Sequence, residues 1–310
     1  MTVETKHPDY DRTQADICTD AFKGDVDQYI PEITGQTKQE HKAYVARATY
    51  FNVLRKTVYA LCGALTRKPI TTENIELEDI VIGDGKTFNE FLAEVQKCIM
   101  TTGRVGVMCD YDDVELNPYI IHYDSPDIVN WRYDSYGELR FVVLHEDVYE
   151  EDEKDKFKVE HIHRYRELFL DDEGVYNVNI WQADAHNNYK VIDTYIPTHR
   201  GQTLDYIPFV FINTSNTTSD YSEPMLMNLA EINISHYRTT TDLEHCAHYT
   251  ALPQPWVAGE FLDSVGDAGP KQLNIGTFDV WQVEKDSNIQ FREFAGAGIG
   301  SLESILAHKE

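Results

Sequence analysis

The sequence predicts an α+β fold, in which helices and antiparallel strands occupy separate stretches of the chain. Two amphipathic helical patterns come first, short apolar strands separated by turn residues follow, and one helix of roughly 25 residues comes after them. With 310 residues, of which 42% are hydrophobic, the chain is long enough to bury a core and to form two domains.

The N-terminal part is predicted to be an irregular arm over residues 1–39, followed by a helix over residues 40–68. Apolar residues in that helix recur at spacings of three and four between Phe51 and Leu65, which places them on one face. Pro69 lacks a backbone N–H and ends the pattern. The spacing therefore predicts one continuous amphipathic helix.

A second helix is predicted over residues 87–102, and Gly103 is suited to the left-handed position that often ends a helix. Short strands then alternate with turns at residues 134–137 and 171–174, as in an antiparallel meander. The predicted strands cover residues 104–111, 118–123, the segments on both sides of each turn, and 204–212. These elements predict one α+β domain over residues 40–221.

The long helix is predicted over residues 222–251, with Ser222 as its N-cap, Pro224 in its first turn and Pro253 beyond its end. Its first third is apolar, and the rest carries polar side chains on nearly every side. The apolar residues are Met225, Leu226, Leu229 and Ile232. A long helix without a continuous apolar stripe usually bridges two regions or packs against copies of itself. The helix is therefore predicted to serve an oligomer.

Residues 252–300 are predicted to form a small β-containing segment with three short strands and a glycine-rich loop. So few strands do not bury a core alone, so its large aromatic residues are expected to pack on neighbouring subunits. The predicted anchors are Trp256, Phe278 and Trp281. A last helix begins at Ser301 and occupies residues 301–310. Because it stops within its third turn, the natural protein is expected to continue.

The chain is strongly acidic, with a formal net charge of −26 from 53 acidic and 27 basic residues. Proteins that grip nucleic acid use Lys and Arg to displace counterions, so the average surface is not expected to bind DNA tightly. No apolar run approaches the roughly 20 residues of a membrane span, and the polar N-terminus predicts no signal peptide. Five scattered cysteines without a CxxC pair predict reduced thiols in a cytosolic setting.

Three groups of side chains are of metal-binding type, but none has the spacing of a metal motif. They are His236 with His245, Cys246 and His248; the strand pair His161 and His163; and Asp110, Asp112 and Asp113 with Glu115 nearby. There is no HExxH, the histidine pair has no third ligand at a set spacing, and a solvated turn is the favoured interpretation of the acidic residues. The glycine-rich residues 295–300 lack the lysine of a phosphate-binding loop. The sequence therefore predicts no enzyme, no cofactor and no metal.

Extended blocks of sequence carry a resemblance to a known family. They are YIPEITGQTKQEHKAYVARATYFNVLRKTVYALCGALTRKPI (29–70), FNEFLAEVQKCIMTTGRVGVMCDY (88–111), YIIHYDSPDIVNWRYD (119–134), DYIPFVFIN (205–213), EPMLMNLAEINISHYRTTTDLEHCAHYTALPQPWVAG (223–259) and FREFAGAGIGSLESILAHKE (291–310). Together they resemble an uncharacterised portal-like family of tailed bacteriophages, the head–tail connector proteins.

The resemblance implies a portal-protein fold: a wing over residues 40–221, a first stem helix over 222–251, a clip over 252–300 and the start of a second stem helix over 301–310. It implies a homo-dodecameric ring at one capsid vertex of the virion, assembled in the host cytoplasm. Double-stranded DNA would be packaged and ejected through this ring without sequence-specific binding. The implied partners are the major capsid protein, the terminase motor and the head–tail adaptor, with no membrane.

Four polar residues of the predicted stem helix are candidates for the channel wall: Arg238, Asp242, Glu244 and His248. An acidic wall repels DNA phosphates over about a Debye length, roughly 8 Å at physiological salt. Arg238 lies one helical turn before Asp242, so an ion pair between them is predicted. Glu244 is then the better candidate for the lumen.

Two other classes of function remain open on the sequence alone. One is another head–tail structural component, such as an adaptor or a minor capsid protein; a dodecamer with a through-channel would argue against the latter. The other is a metal-dependent hydrolase that uses the Asp110 region or the pair of His161 and His163, which bound metal would support.

Overall fold

In a computed structural model of the protein, the chain divides into two compact units. Unit 1 comprises residues 1–26 and 51–234, and unit 2 comprises residues 27–50 and 235–310. The structure describes residues 2–68, 70–71, 81–83, 85–112, 117–151, 155, 157–184, 186, 188–251, 254–258, 288–292, 296 and 298–309. The division between the units falls inside the long helix, between residues 234 and 235.

The described residues form six α-helices and thirteen β-strands. The helices are α1 (Thr13–Lys23), α2 (Lys38–Val45), α3 (Val53–Leu65), α4 (Phe88–Thr102), α5 (Met227–Ala251) and α6 (Ile299–Lys309). The strands are β1 (Val81–Ile82), β2 (Arg104–Asp112), β3 (Asn117–Asp124), β4 (Ile128–Tyr133), β5 (Leu139–Glu151), β6 (Val159–Leu170), β7 (Tyr176–Ala183), β8 (Tyr189–Tyr195), β9 (Thr198–His199), β10 (Gln202–Thr203), β11 (Phe209–Asn213), β12 (Gln254–Ala258) and β13 (Asn288–Arg292). No described helix combines the length with the apolarity that a membrane crossing requires.

Unit 1 contains a helix layer and two sheet layers. α4 packs on one face of a four-stranded sheet with strand order β1-β3-β2-β11, and the other face packs on a five-stranded antiparallel meander, β4 to β8. Side chains of a strand alternate between its two faces. Val105 of β2 accordingly joins Val95 of α4 in one core, whereas Met108 joins Leu144 of β5 in the other.

The helix predicted over 87–102, the strands of the meander and both predicted turns are confirmed. α4 ends at Gly103, which has the expected positive φ of 80°. The sequence analysis missed β8, because five of its seven residues are exposed and give no alternation of apolar and polar side chains. It also missed the short strand β1, which pairs with β3 in parallel.

The prediction of an irregular arm is wrong over α1, which packs on α3 and α4 in unit 1. Its buried residues are Ala15, Cys18 and Ala21. Such small side chains give a weak amphipathic signal, although they allow helices to approach closely.

The single helix predicted over 40–68 is two helices, α2 and α3, separated by residues 46–52. Thr37 and Glu40 form a capping box at the start of α2. The side chain of Asn52 caps α3 by accepting a hydrogen bond from the backbone N–H of Arg55. Both N-cap signals are visible in the sequence, whereas the apolar spacing behind the single helix begins only at Phe51 and does not cover residues 40–50.

The predicted apolar face of α3 is only partly buried within the chain. Leu54, Val58 and Cys62 lie in the interior. Leu61 and Leu65, which the spacing placed on the same face, are exposed.

The N-terminal cap predicted for the long helix is wrong. α5 begins at Met227, and the hydroxyl of Ser222 donates to the carbonyl of Gly103 instead of capping the helix. The predicted apolar residues Met225 and Ile232 are about half exposed. The buried residues at spacings of three and four are Met227, Ala230, Ile234, Tyr237 and Thr241. A stripe therefore exists, but it includes hydroxyl groups and escapes a purely apolar pattern.

The buried polar residue Asn233 shows how unit 1 accommodates a polar side chain on α5. Its Oδ1 accepts hydrogen bonds from the N–H groups of Val53 and Leu54 at 3.0 and 3.1 Å, and its Nδ2 donates to the carbonyl of Phe51 at 2.9 Å. Two of the N–H groups that a helix leaves unpaired at its start are satisfied in this way.

Candidate functional site

The C-terminal helices of unit 2 form an antiparallel pair. Near the end of α5, the methyl group of Thr250 lies beside Gly296, just before α6. At the other end, Nζ of Lys309 donates to the carbonyl of Ser235 at 3.0 Å and to Oγ1 of Thr239 at 2.7 Å. The chain therefore runs along α5, leaves it for the segment between the helices, and returns along α6 in the opposite direction.

The segment between α5 and α6 contains a two-stranded antiparallel ribbon. β12 pairs with β13, and Trp256 lies opposite Gln290. Trp256 is 39% exposed, so part of its indole surface is available for packing. The other predicted anchors, Phe278 and Trp281, lie outside the described residues, as does the whole glycine-rich loop at residues 264–270. Their proposed interface role stays a prediction.

A different face of α5 is covered by α2 within unit 2. The hydroxyl of Tyr44 donates a hydrogen bond to the carboxylate of Asp242, and the Tyr44 ring meets the His245 ring edge-on with centroids 4.8 Å apart. Nη1 of Arg47 lies 3.4 Å from Nδ1 of His245. Burial, with a smaller contribution from the charge on Arg47, lowers the pKa of His245, which favours the neutral imidazole.

The predicted ion pair between Arg238 and Asp242 is absent from the described side chains. Nε of Arg238 instead donates to the carbonyl of Tyr29 at 2.7 Å, and Asp242 accepts from Tyr44. Both side chains are thus used for contacts within unit 2. Helical spacing predicts that Arg238 and Asp242 share a face. Their hydrogen-bond partners, Tyr29 and Tyr44, lie 209 and 198 residues earlier in the chain.

Glu244 lies on a third face of α5. Asp242 faces α2 and Thr239 faces α6. At 100° per residue, the side chain of Glu244 points away from both of these directions. Its side chain is exposed, as is that of His248. Glu244 therefore remains the acidic residue of α5 best placed to face a channel, and its role there stays a prediction.

The prediction of a solvated acidic turn is wrong for Asp110, which lies within strand β2. Asp110 is nearly buried and receives hydrogen bonds from Nη1 of Arg166 and from the hydroxyl of Tyr119. Nε of Arg166 donates to Glu146 at 2.7 Å, as does the hydroxyl of Tyr123 at 2.6 Å. Burial opposes the charge on Arg166, but the surrounding carboxylates and tyrosines raise its pKa. Asp110 thus belongs to a buried ion-pair network, and nothing in it resembles a magnesium site. The acidic residues 113 and 115 lie outside the described residues.

Histidine and aspartate side chains converge on the hairpin of β5 and β6. Asp147 lies directly opposite His163 in the strand register. One oxygen of Asp147 lies 2.8 Å from Nδ1 of His163, 2.9 Å from Nε2 of His161 and 3.7 Å from Nε2 of His145. Nε2 of His145 is also 3.2 Å from Nδ1 of His163. Three imidazoles therefore surround one carboxylate oxygen.

The sequence did not predict that Asp147 and His145 would join His161 and His163. His145 and Asp147 repeat the same i, i+2 spacing on the preceding strand, so each pair occupies one face. The spacing within each pair was visible in the sequence. The register that brings the two pairs together was not, because it depends on the loop between the strands. His245, Cys246 and His248 form no comparable cluster among the residues that the structure describes.

A family model described as "Domain of unknown function (DUF4055)" matches residues 225–310. The match begins two residues before α5 and includes β12, β13 and α6. No curated protein matches the chain.

Two solved structures are similar to the chain at low identity. One is the "Neck of empty GTA particle computed with C6 symmetry", at 11% identity and a TM-score of 0.38, covering 89% of this chain and 69% of that chain. The other is the "Virion of native gene transfer agent (GTA) particle", at 11% identity and a TM-score of 0.37, covering 93% of this chain and 72% of that chain.

Proposed function

We propose that this chain is a structural subunit of a tailed-phage head–tail connector, and specifically of the portal ring at one capsid vertex. The observation that supports this most directly is the antiparallel pair of α5 and α6 with the β12–β13 ribbon between them. Helix, β insert and helix is the order of stem, clip and stem that the resemblance implies. The role is one of assembly and conduction, and catalysis is left to a separate motor.

Exposed apolar side chains support self-association. Tyr59, Leu61 and Leu65 of α3 are exposed, as are Met225 just before α5 and Ile232 within it. Much of the apolar surface of these side chains faces water in an isolated chain. A closed ring formed by repeated heterologous contacts would remove them from water.

The charge of the chain supports a conduit for DNA. Each copy has a formal charge of −26, so a ring would present a strongly negative field to a phosphate backbone. Weak repulsion keeps DNA mobile in a channel, whereas clustered Lys and Arg would hold it. In this proposal DNA, the major capsid protein, the terminase motor and the head–tail adaptor are the partners, and the virion is the site of action.

The assembly prediction concerns the full chain at micromolar concentration and low salt. We expect light scattering to give the mass of a closed oligomer, twelve copies in the proposed ring, and negative-stain images to show rings with a central channel. A stable monomer under these conditions would overturn the proposal. A closed assembly without a channel would favour another head–tail component.

A second prediction concerns charge in the proposed channel. The Glu244→Lys substitution should slow DNA packaging or ejection in assembled particles, because each subunit then offers a cation to the phosphates. The delay should shrink as salt rises. Glu231→Lys is the matched control, since Glu231 is an exposed residue on a different face of α5. Equal rates for the two variants at low salt would remove Glu244 from the channel wall.

A further inference from the structure

We propose that the cluster of His145, Asp147 and His163 on the β5–β6 hairpin is a binding site for a divalent transition-metal ion of the zinc class, with His161 as a hydrogen-bond partner of Asp147. This cluster lies entirely in unit 1, and the proposal is independent of ring assembly. It is carried by the donor set, by the spacing of the donor atoms and by a carboxylate that orients one of the imidazoles.

The donor set is of the type that zinc and related ions prefer. Imidazole nitrogen suits zinc, copper and nickel, and one carboxylate oxygen offsets part of the charge of a divalent ion. Magnesium and calcium prefer oxygen ligands alone. Two imidazoles with one carboxylate therefore favour a borderline ion, with solvent free to fill a fourth position.

The donor atoms have the separations of a tetrahedral site. Zinc bonds of about 2.0–2.1 Å place two ligands of a tetrahedron roughly 3.3 Å apart. The measured separations are 3.2 Å between His145 Nε2 and His163 Nδ1, 2.8 Å from His163 Nδ1 to Asp147 and 3.7 Å from His145 Nε2 to Asp147. These three values bracket the tetrahedral distance, so small side-chain movements suffice. His161 lies 2.9 Å from Asp147 but outside this set of mutually close donor atoms.

Asp127 fixes the orientation of one ligand. Its Oδ1 lies 3.2 Å from Nδ1 of His145. Because a carboxylate accepts hydrogen bonds, Nδ1 of His145 donates, and Nε2 with its lone pair faces the cluster. A carboxylate that holds the far nitrogen of an imidazole is a common support of metal-bound histidines.

Hydrogen bonds alone satisfy this cluster poorly. Nδ1 of His163 is within hydrogen-bond distance of both Asp147 and Nε2 of His145, but it carries at most one proton. A cation placed among the donor atoms of His145, Asp147 and His163 would be coordinated by all three at once. His163 and Asp147 are about half exposed, so an ion can enter from solvent.

The test is a titration of the tag-free full chain, stripped with a chelator, with Co²⁺ and then Zn²⁺. We expect one Co²⁺ per chain at micromolar concentration, the visible absorption of tetrahedral Co²⁺, and displacement of Co²⁺ by Zn²⁺. His163→Gln and Asp147→Asn should each weaken binding by about 100-fold, and Asp127→Asn by about tenfold. Melting of the metal-free variants checks that each remains folded.

A separate cluster provides the matched control. Cys98, His122 and Asp124 also bring three donor atoms together, but burial, together with the neighbouring Asp124, raises the pKa of the Cys98 thiol and so disfavours the thiolate that binds metal. The Cys98→Ser, His122→Ala double variant should bind Co²⁺ as the unchanged protein does. The proposal is overturned if the unchanged protein binds no ion at millimolar Co²⁺. It is also overturned if folded His163→Gln and Asp147→Asn retain full affinity, or if the double variant alone loses binding.

Discussion

Replacing Gly103 with alanine should destabilise unit 1 by at least about 3 kcal/mol, the largest effect that we expect from a single methyl group. Gly103 ends α4 with a φ of 80°, a conformation that costs a residue with a Cβ about 1–2 kcal/mol. An added Cβ would also lie 1.8 Å from the carbonyl oxygen of Ser222, which is backbone and cannot rotate away. The residues that lead into α5 would have to move.

Gly174→Ala is the matched control for this substitution. Gly174 has the same φ of 80° in the turn between β6 and β7, but an added Cβ meets no atom within 4 Å. Gly174→Ala should lower the free energy of unfolding only by the cost of the left-handed conformation, about 1–2 kcal/mol. Urea unfolding followed by tryptophan fluorescence measures both, because Trp131 is buried in unit 1. Equal urea midpoints for the two variants would show that the contact between the added Cβ and the carbonyl oxygen of Ser222 does not destabilise the protein.

Replacing Arg166 with methionine should destabilise the protein by about 3 kcal/mol or more, because it leaves two largely buried carboxylates without their cation. The side chains of Asp110 and Glu146 are 5% and 17% exposed, and both lose hydrogen bonds from the guanidinium. The network also holds β2 of the four-stranded sheet to β5 and β6 of the meander. Loss of Arg166 should therefore loosen the contact between the two sheets.

Arg164→Met is the matched control on the same strand. Arg164 pairs with Glu150, which is 47% exposed, and partly solvated ion pairs contribute about 0–1 kcal/mol. Hydrogen exchange of the β2 and β6 amides and urea midpoints provide the measurements. If Arg164→Met and Arg166→Met are equally destabilising, burial is not the cause of the loss.

Local signals in the sequence were sufficient for elements whose stabilising contacts lie within a few residues. α4 was predicted because its apolar residues repeat at helical spacing and Gly103 follows it. The turns at Gly137 and Gly174 were predicted because a left-handed residue favours glycine. The meander followed from alternation between these turns.

The candidate sites depended on contacts between distant residues, and the sequence analysis missed most of them. His145 and Asp147 lie on the strand that pairs with that of His161 and His163, so their distances depend on register. The cation for Asp110 comes from a strand of the other sheet. Asp242 was predicted to pair with Arg238 by helical spacing, but Tyr44 is its partner. A helical wheel shows which residues share a face, but it does not show what covers that face.

The sequence by itself determined the α+β class, the helical and strand periods, the acidic charge and the order of long helix, β segment and helix, since each is a property of neighbouring residues. Only the tertiary structure decided that residues 40–68 contain two helices, that residues 13–23 form helix α1, and that the long helix has a partly polar buried stripe. The physical reason is that burial and hydrogen bonding depend on contacts between segments far apart in the sequence. Such contacts override local propensity where they satisfy buried polar groups, as Val53 and Phe51 do for the side chain of Asn233.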